Sequence, residues 1–398
     1  MRHPISVFGL LVILMASVAT PAPAENVPGV TDDRILVGMI TDLTGPLAAI
    51  GQESSAGARL YLQHINDQGG VHGRKIELLV EDDNYKPPRT ISAFRKLVDR
   101  DRIFCFIGNM GTATTMATFR FLKRERIPLI GPLAYASAMS TPPKRYVFST
   151  TPPYDIQPWI ILKYILEGEK ATACRLATLY QDDDAGHDGL KGLRQAAAHY
   201  GLPIVAEESY KRGAVDFSTQ MLNMKREDPT HVILLSIYRE TAAFLREARM
   251  ADWRPRFIGW IPASDEKIVE LAGEAAEGYL AVQIADLWGD GEAIKRYRKL
   301  LREFTPDHGP AAYHVAGFSA AQILVEGLVR AGRNLTREKL VEAMESFKGW
   351  DKSVGSPITY GPDLRGGKDT AAFLVRADIE QKRMVRATDW ISADRPER

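Results

Sequence analysis

The sequence lacks a surplus of charge of either sign. Its 398 residues carry a formal net charge of +1, and no run of basic residues is interleaved with aromatic ones. Nucleic acid is therefore disfavoured as a partner, because phosphate binding needs a concentration of Lys and Arg. Apolar residues make up 45% of the chain and charged residues 25%, as in soluble globular proteins.

Short motifs that would indicate an enzyme are also missing. No G-x-S-x-G occurs; the nearest match, GFSAA at 317–321, lacks the last glycine and lies in a helical pattern. No G-x-G-x-x-G follows a strand pattern, so no dinucleotide site is indicated. We expect no catalytic residue, no cofactor and no metal ion.

Cysteine is scarce, since Cys105 and Cys174 are the two copies in the chain. Each lies in an apolar run that is typical of a strand. An exported protein could pair them. The division into lobes described below places them in different lobes, so we expect two buried free thiols.

Long apolar runs are missing except at the N-terminus. Arg2 and His3 precede an apolar stretch at 5–18, and the small residues Ala22 and Ala24 follow it. This order is typical of a cleaved secretory signal; a signal anchor is the alternative, but the stretch is short for a membrane span. We expect export to the periplasm with cleavage after about Ala24, a mature chain of zero formal net charge, and no insertion of that chain into the membrane.

The remaining chain alternates short β-branched runs with longer helical patterns, which is the signature of βαβ units. The predicted strands lie at 34–40, 75–81, 102–108, 127–132, 145–150, 174–180, 203–210, 231–237, 256–260 and 278–284. Pro152 and Pro153 interrupt this series and cannot donate strand hydrogen bonds. We therefore expect two α/β lobes with a first crossing at 148–158, followed by helices at 292–304 and 311–332 and a strand pair about 358–378.

One stretch, INDQGGVHGRKIELLVEDD at 65–83, combines three glycines with an acidic end. The glycines predict a helix end and a turn into the second strand. Asp82 and Asp83 then lie at the carboxyl end of that strand, and we expect them to cap loops at the rim of a cleft.

Several segments together resemble periplasmic solute-binding proteins of the leucine/isoleucine/valine-binding type. They lie at 35–87, 216–225, 244–253 and 271–282, in the order expected for that family. The resemblance implies a type I periplasmic-binding-protein fold, with two Rossmann-like lobes joined by a three-crossover hinge that close on a ligand. It further implies a binding protein that hands its solute to an inner-membrane ABC permease. We expect a monomer.

The resemblance also divides the chain into domains. After the signal peptide predicted at 1–24, it implies a first lobe at 25–150 with about 285–357, and a second lobe at 151–284 with about 358–398.

Thr112 is the first candidate for the ligand site. It opens a helical pattern directly after a strand and a glycine-bearing turn, and Ala113 follows it. The N–H groups at a helix start, with the positive end of the helix dipole, suit a carboxylate. Plain N-capping by the threonine is the alternative. The resemblance places Thr112 at the hydroxyl residue that holds the ligand carboxylate.

Further cleft positions follow from the resemblance alone. They are Ile50, Leu133, Tyr135, Ala185, Tyr238 and Tyr313. For the tyrosines, an ordinary place in the core is the alternative interpretation. The acidic loop at 182–188 could be taken for a metal cluster, but its spacing fits no metal loop, and we expect a solvated edge of the cleft.

Ile261 marks a departure from the family. Amino-acid-binding members usually carry a Glu at this position, where it accepts the ligand ammonium. A buried ammonium without an acceptor costs several kcal/mol, so either Asp155, Asp182 or Asp265 substitutes or the ligand has no ammonium. We hypothesise a small organic acid, with aromatic acids among the candidates. A branched-chain amino acid is the alternative ligand, and sensing through a receptor is the alternative role.

Overall fold

The computed structural model describes residues 27–150, 152–355, 357–366 and 371–395. The predicted signal peptide at 1–24 lies outside the described residues.

The first sheet is parallel and has the strand order β2-β1-β3-β4-β5. Its strands are β1 (Arg34–Thr41), β2 (Lys75–Asp82), β3 (Cys105–Ile107), β4 (Leu129–Ile130) and β5 (Val147–Phe148). Each predicted strand of this lobe is present, but the last three are shorter than their apolar runs. Only two or three residues of each pair with a neighbouring strand.

The second sheet has the order β12-β11-β10-β9-β8-β6-β7, with β13 paired to β11. Its strands are β6 (Leu176–Gln181), β7 (Ile204–Tyr210), β8 (His231–Leu235), β9 (Arg256–Gly259), β10 (Leu280–Gln283), β11 (Ala371–Asp378), β12 (Arg383–Arg386) and β13 (Ile391–Ser392). Strands β6 to β10 are parallel, and β11 joins them antiparallel. The sequence therefore predicted the parallel series correctly.

The helices connect the strands and cover both sheets. They are α1 (Ala48–Asp67), α2 (Pro87–Arg95), α3 (Thr112–Glu125), α4 (Gln157–Lys163), α5 (Asp184–Tyr200), α6 (Ser218–Arg226), α7 (Tyr238–Met250), α8 (Lys267–Ala272), α9 (Glu292–Phe304), α10 (Ala312–Ala331) and α11 (Arg337–Glu345). Short π-helical segments extend α2 and α4, and 3₁₀ turns follow β4 and β9.

Helices α9 to α11 return to the first sheet after β10. Buried side chains of α1, α9, α10 and α11 form one core with β1 and β3, and α2 and α3 pack on the opposite face. Helices α1 and α10 approach closely at two glycines: a Cβ on Gly57 would lie 1.8 Å from the carbonyl oxygen of His314, and one on Gly317 would lie 1.8 Å from that of Ser54. Only glycine fits at either position.

The predicted strand pair about 358–378 is wrong in part. Ile358 forms an isolated bridge with Trp350, and Tyr360 packs in the core of the first sheet. The chain returns to the second sheet only after residue 366. The strand that forms there is β11, which pairs with β10 and β12 and not with the segment at Ile358. The exact lobe boundaries stay a prediction.

Among the described residues, α10 is long and apolar enough to cross a membrane, which the sequence analysis did not anticipate. Some 72% of its most apolar window is buried inside the protein. Packing against α1 and the first sheet accounts for that composition.

The two cysteines and the stretch at 65–83 have the predicted environments. Cys105 and Cys174 are buried and unpaired. Glycines with positive φ form the turn between α1 and β2. Asp82 accepts hydrogen bonds from the Leu43 N–H (2.9 Å) and the Thr44 hydroxyl (2.6 Å), so it caps a loop as expected. Asp83 caps the next turn through the Tyr85 N–H (2.9 Å).

Candidate functional site

A cavity of about 520 Å³, part of it open to solvent, lies between the two sheets, at the carboxyl ends of their parallel strands. Open α/β sheets bind ligands at this edge, where the loops after the strands converge. Its walls are formed by Leu47, Ile50, Tyr85, Met110, Gly111, Thr112, Leu133, Tyr135, Tyr154, Gln181, Ala185, Ser236, Ile237, Trp260, Pro262 and Tyr313. We call this cavity the cleft.

The first turn of α3 presents unpaired polar groups at the cleft. Gly111 is the N-cap residue, with φ of 88°, and no side chain caps the helix. The hydroxyl of Thr112 is buried, forms no well-aligned hydrogen bond to a described residue, and lies beside the Tyr154 phenol. The N-capping alternative for Thr112 is therefore wrong, because Gly111 is the N-cap and Thr112 is the first helical residue. The Thr112 hydroxyl does not cap the helix and can bond to a ligand.

Aromatic side chains surround this helix end. The rings of Tyr154 and Trp260 lie 4.2 Å apart between centroids, and Tyr135 packs edge-on against Tyr154 at 5.7 Å. Burial raises the pKa of Tyr154 well above its ordinary value, and the nearby Tyr85 and Tyr135 add to the rise. Burial likewise raises the pKa of Tyr85 to about 12. The phenols therefore stay protonated and can donate hydrogen bonds to an anion.

No charged side chain stands among the described residues that line the cleft. The three acids considered as ammonium acceptors are all engaged elsewhere. Asp155 pairs with Arg395 at 2.8 Å, Asp182 pairs with His187 at 2.9 Å and with Lys211, and Asp265 accepts the N–H of Lys267 at 2.8 Å. An ammonium in the cleft would thus meet neutral oxygens only.

The acidic loop at 182–188 is occupied by structural contacts. Asp183 is the N-cap of α5, where it accepts the N–H groups of Ala185 and Gly186 at 3.1 Å each. It also pairs with Arg212 at 2.8 Å. In the described part of the chain, no group of His, Cys, Asp and Glu side chains has an arrangement that could hold a metal ion.

Polar contacts cross from one lobe to the other beside the cleft. Arg212 of the second lobe donates to the backbone oxygen of Tyr85 at 2.9 Å, and its guanidinium lies 3.8 Å from the centre of that ring. Asp188 accepts the N–H and the hydroxyl of Ser137, each at 2.6 Å. These bonds join the two lobes in this structure.

Most residues expected in the cleft lie on its wall. Those residues are Ile50, Thr112, Leu133, Tyr135, Ala185 and Tyr313. Ala113 follows Thr112 in the first turn of α3 but does not line the cavity. Roles in binding stay predictions for all of them.

Tyr238 and Ile261 are not on the cleft wall. Tyr238 begins α7 and points its hydroxyl toward the carbonyl of Pro46 at 3.4 Å, so its neighbours Ser236 and Ile237 line the cleft instead. Ile261 opens a 3₁₀ turn whose N–H bonds to Gln157 at 3.0 Å, and Trp260 and Pro262 face the cleft beside it. The charge-free wall therefore argues against an ammonium more strongly than residue 261 does.

Three large cleft residues, Tyr85, Tyr154 and Trp260, were not predicted from the sequence. Trp260 directly follows β9, and Tyr85 lies three residues beyond β2. Their places after parallel strands were a usable signal, since such positions reach the ligand edge of the sheet. Tyr154 lies in the crossing between the lobes and carried no such signal.

A family model described as "Periplasmic binding protein" matches residues 34–382. The leucine-, isoleucine-, valine-, threonine- and alanine-binding protein of Pseudomonas aeruginosa is 25% identical over 316 residues, which are 79% of this chain and 83% of the relative. The Leu/Ile/Val-binding protein of Escherichia coli is 26% identical over 251 residues, which are 63% of this chain and 68% of the relative.

Solved structures show the same fold. A fatty acid ABC transporter substrate-binding protein from Thermomonospora curvata superposes with a TM-score of 0.83 at 24% identity, covering 93% of this chain and 95% of that one. A branched chain amino acid ABC transporter protein from Thermus thermophilus with bound valine gives 0.79 at 22% identity, covering 91% and 97%. At these identities the likeness establishes the type I periplasmic-binding-protein architecture.

Two sheets that meet at a ligand edge and relatives that are named as binding proteins agree with this match. The chain belongs to the periplasmic binding protein family.

Proposed function

We propose that the protein captures a small carboxylic acid without an ammonium group in its cleft and delivers it to an inner-membrane ABC permease. The observation that carries this proposal is the composition of the wall: an uncapped helix start with a buried Thr112 hydroxyl, aromatic rings around it, and no carboxylate. The protein acts as an exported monomer in the periplasm.

The uncapped turn of α3 supplies the head-group site. The first N–H groups of a helix have no acceptor within the helix, and they carry the positive end of its dipole. With Thr112 they form donors on one side of a carboxylate. Protonated phenols of Tyr85 and Tyr154 add donors nearby. Hydrogen bonds to a charged group are the strong ones, so these neutral donors suffice for an anion.

The aromatic rings supply the other half of the site. Tyr135, Tyr154, Trp260 and Tyr313 present flat apolar faces to the cleft. Rings of this kind bind apolar and aromatic groups by burying apolar surface area and by stacked or edge-to-face ring contacts. A benzoate-type acid satisfies both ends of the cleft, since its carboxylate reaches α3 while its ring lies among the aromatic side chains.

A branched-chain amino acid is the second candidate ligand, because the relatives in Pseudomonas aeruginosa and Escherichia coli are named for binding such amino acids. Its ammonium would need a neutral acceptor such as the Gln181 side chain or a phenol oxygen.

A sensory role differs from transport only in the docking partner. Permease and ATPase genes beside this gene favour transport, and a histidine kinase gene alone favours sensing.

Calorimetry of the mature chain, purified without unfolding, tests the ligand class. Benzoate and leucine are titrated separately into the same protein at neutral pH. We expect heat and a defined midpoint with benzoate and a weak or absent response to leucine. Tight leucine binding without a response to benzoate overturns the proposal in favour of the amino acid.

A further inference from the structure

A second cavity of about 870 Å³, part of it open to solvent, lies behind the cleft at the segments that join the lobes. We call it the hinge cavity. Pro152 of the first crossing and Ile284 of the second line it, and Ala316 of α10 and Ile358 close other sides. Since two connecting segments form its wall, an occupant here contacts the parts of the chain that bend when the lobes open and close.

The hinge cavity offers an occupant little polar capacity. No charged side chain stands among its described lining residues. The amide of Gln283 donates to Ser264 at 2.9 Å and accepts the N–H groups of Ile284 and Ala285, and Ser319 donates to the carbonyl of Val354 at 3.1 Å. These two side chains are satisfied inside the protein. Apart from the hydroxyls of Tyr135, Thr150, Tyr313 and Ser353, the other described lining side chains are apolar, so the space suits an apolar group.

The hinge cavity and the cleft share part of one wall. Leu133, Tyr135 and Tyr313 line both. Tyr313 is held by one hydrogen bond from its hydroxyl to the carbonyl of Ile261, at 3.2 Å. The phenol of Tyr135 makes no hydrogen bond to any described residue, and its segment at 131–136 has no helix or regular strand. The partition is therefore Leu133 with two rings, and the Tyr135 ring can turn without breaking a polar side-chain contact to a described residue.

We propose that the ligand is a carboxylic acid with an extended apolar tail, whose carboxylate binds at Thr112 and whose tail passes Tyr135 into the hinge cavity. This inference rests on the proposed function, because it keeps the carboxylate at α3. A tail is a better occupant than a separate apolar molecule, since the two cavities share Leu133, Tyr135 and Tyr313 in their walls and the buried Thr112 hydroxyl lies in the cleft. The hinge cavity is then a specificity subsite for chain length.

Calorimetric titration with butanoate, hexanoate, octanoate and decanoate tests the proposal on the mature protein. Burial of one methylene from water is worth about a fourfold gain in affinity. We expect affinity to rise by up to this factor for each methylene that enters the hinge cavity. An affinity that stays flat or falls from hexanoate to decanoate overturns the tail subsite.

The substitution Ala316→Phe places a ring in the hinge cavity at a residue that does not itself line the cleft, and Ala316 is only half-buried on α10. We expect decanoate to lose at least tenfold in affinity and butanoate to stay within twofold. Val329→Phe on an exposed site of the same helix is the matched control and should change neither. An equal loss for the short and the long acid contradicts the proposal. Ser319→Leu serves as a second filling variant if Ala316→Phe does not fold.

Decanol separates this inference from the carboxylate proposal. If decanol binds and Ala316→Phe weakens it while no acid binds, the tail subsite stands and the head-group assignment falls. If the acids bind without any dependence on chain length, the head-group assignment stands and the tail subsite falls. If neither the acids nor decanol bind, both are overturned.

Discussion

The substitution Thr112→Val removes the hydroxyl that the cleft leaves without a well-aligned partner and keeps the shape of the side chain. Hydrogen bonds to charged groups contribute about 1.5–3 kcal/mol, so we expect the dissociation constant of a carboxylate ligand to rise roughly 10- to 150-fold. The expectation holds for benzoate and for leucine, because both present a carboxylate.

The Thr112→Val variant should lose affinity for the ligand without losing stability in its ligand-free form. The Thr112 hydroxyl is buried without a well-aligned partner in the folded protein. Its removal affects the adjacent Tyr154 phenol but breaks no well-aligned hydrogen bond, so the melting temperature of the ligand-free protein should stay equal or rise. A loss of affinity at unchanged or higher stability identifies a ligand contact, whereas a structural residue would lower both.

Thr118→Val is the matched control. Thr118 is fully buried on the same helix, and its hydroxyl donates to the carbonyl of Thr115 at 2.7 Å. It does not line the cleft. We expect this variant to lose about 1 kcal/mol of stability and to keep its affinity. Calorimetry and thermal melts of the two variants decide the question, and undiminished binding by Thr112→Val would refute the head-group assignment.

Three other predictions concern closure, pH and the thiols. Ser137→Ala removes one of the two donors to Asp188 across the cleft. The rate of ligand dissociation, measured by stopped-flow fluorescence, should therefore rise several-fold. An unchanged rate would show that the closed state does not depend on this bond. Burial lowers the pKa of His314 to about 4 from its ordinary 6.5, so the folded state binds fewer protons than the unfolded state between these values. The free energy of unfolding should therefore fall as pH drops from about 6.5 to 4. His314→Gln should lessen that fall in urea titrations, and parallel curves for the two proteins would contradict the assignment. Cys105 and Cys174 should both resist alkylation in the native protein, with Cys174 the faster since it is 8% exposed against 0%; mass spectrometry of a disulfide between them would contradict the free thiols.

Strands and helices with a clear period could be predicted closely from the sequence. The run at 34–40 became Arg34–Thr41, and the helix at 292–304 has the predicted bounds. Here apolar spacing and the period of the element agree over many residues. The short strands after Cys105 were overestimated, because an apolar run shows burial but does not show where pairing with the next strand stops.

The candidate site was predictable where a position follows directly from the end of a strand. Thr112 lies at a helix start after β3, and Tyr135 lies in the loop after β4, so both reach the cleft. Tyr238 was misplaced because the turn into α7 directs its side chain toward Pro46 rather than into the cavity. Trp260 was missed because the direction of a side chain after β9 depends on how the chain leaves the strand. No single-sequence pattern records that direction.

The side chain of Ile261 shows the limit of reasoning from one aligned position. The missing Glu suggested a ligand without an ammonium, but the structure directs Ile261 to the hinge cavity. The same conclusion now rests on the whole wall of the cleft, which carries no charged side chain among the described residues.

The central claim is that the cleft binds a carboxylate and disfavours an ammonium. Leucine and 4-methylpentanoate have the same carboxylate and the same branched tail and differ in the ammonium group alone. Calorimetric dissociation constants for this pair, measured on the mature protein at neutral pH, test the claim most directly. We predict that 4-methylpentanoate binds at least tenfold more tightly than leucine, in line with the cost of burying an unpaired charge. Tighter binding of leucine would contradict the account.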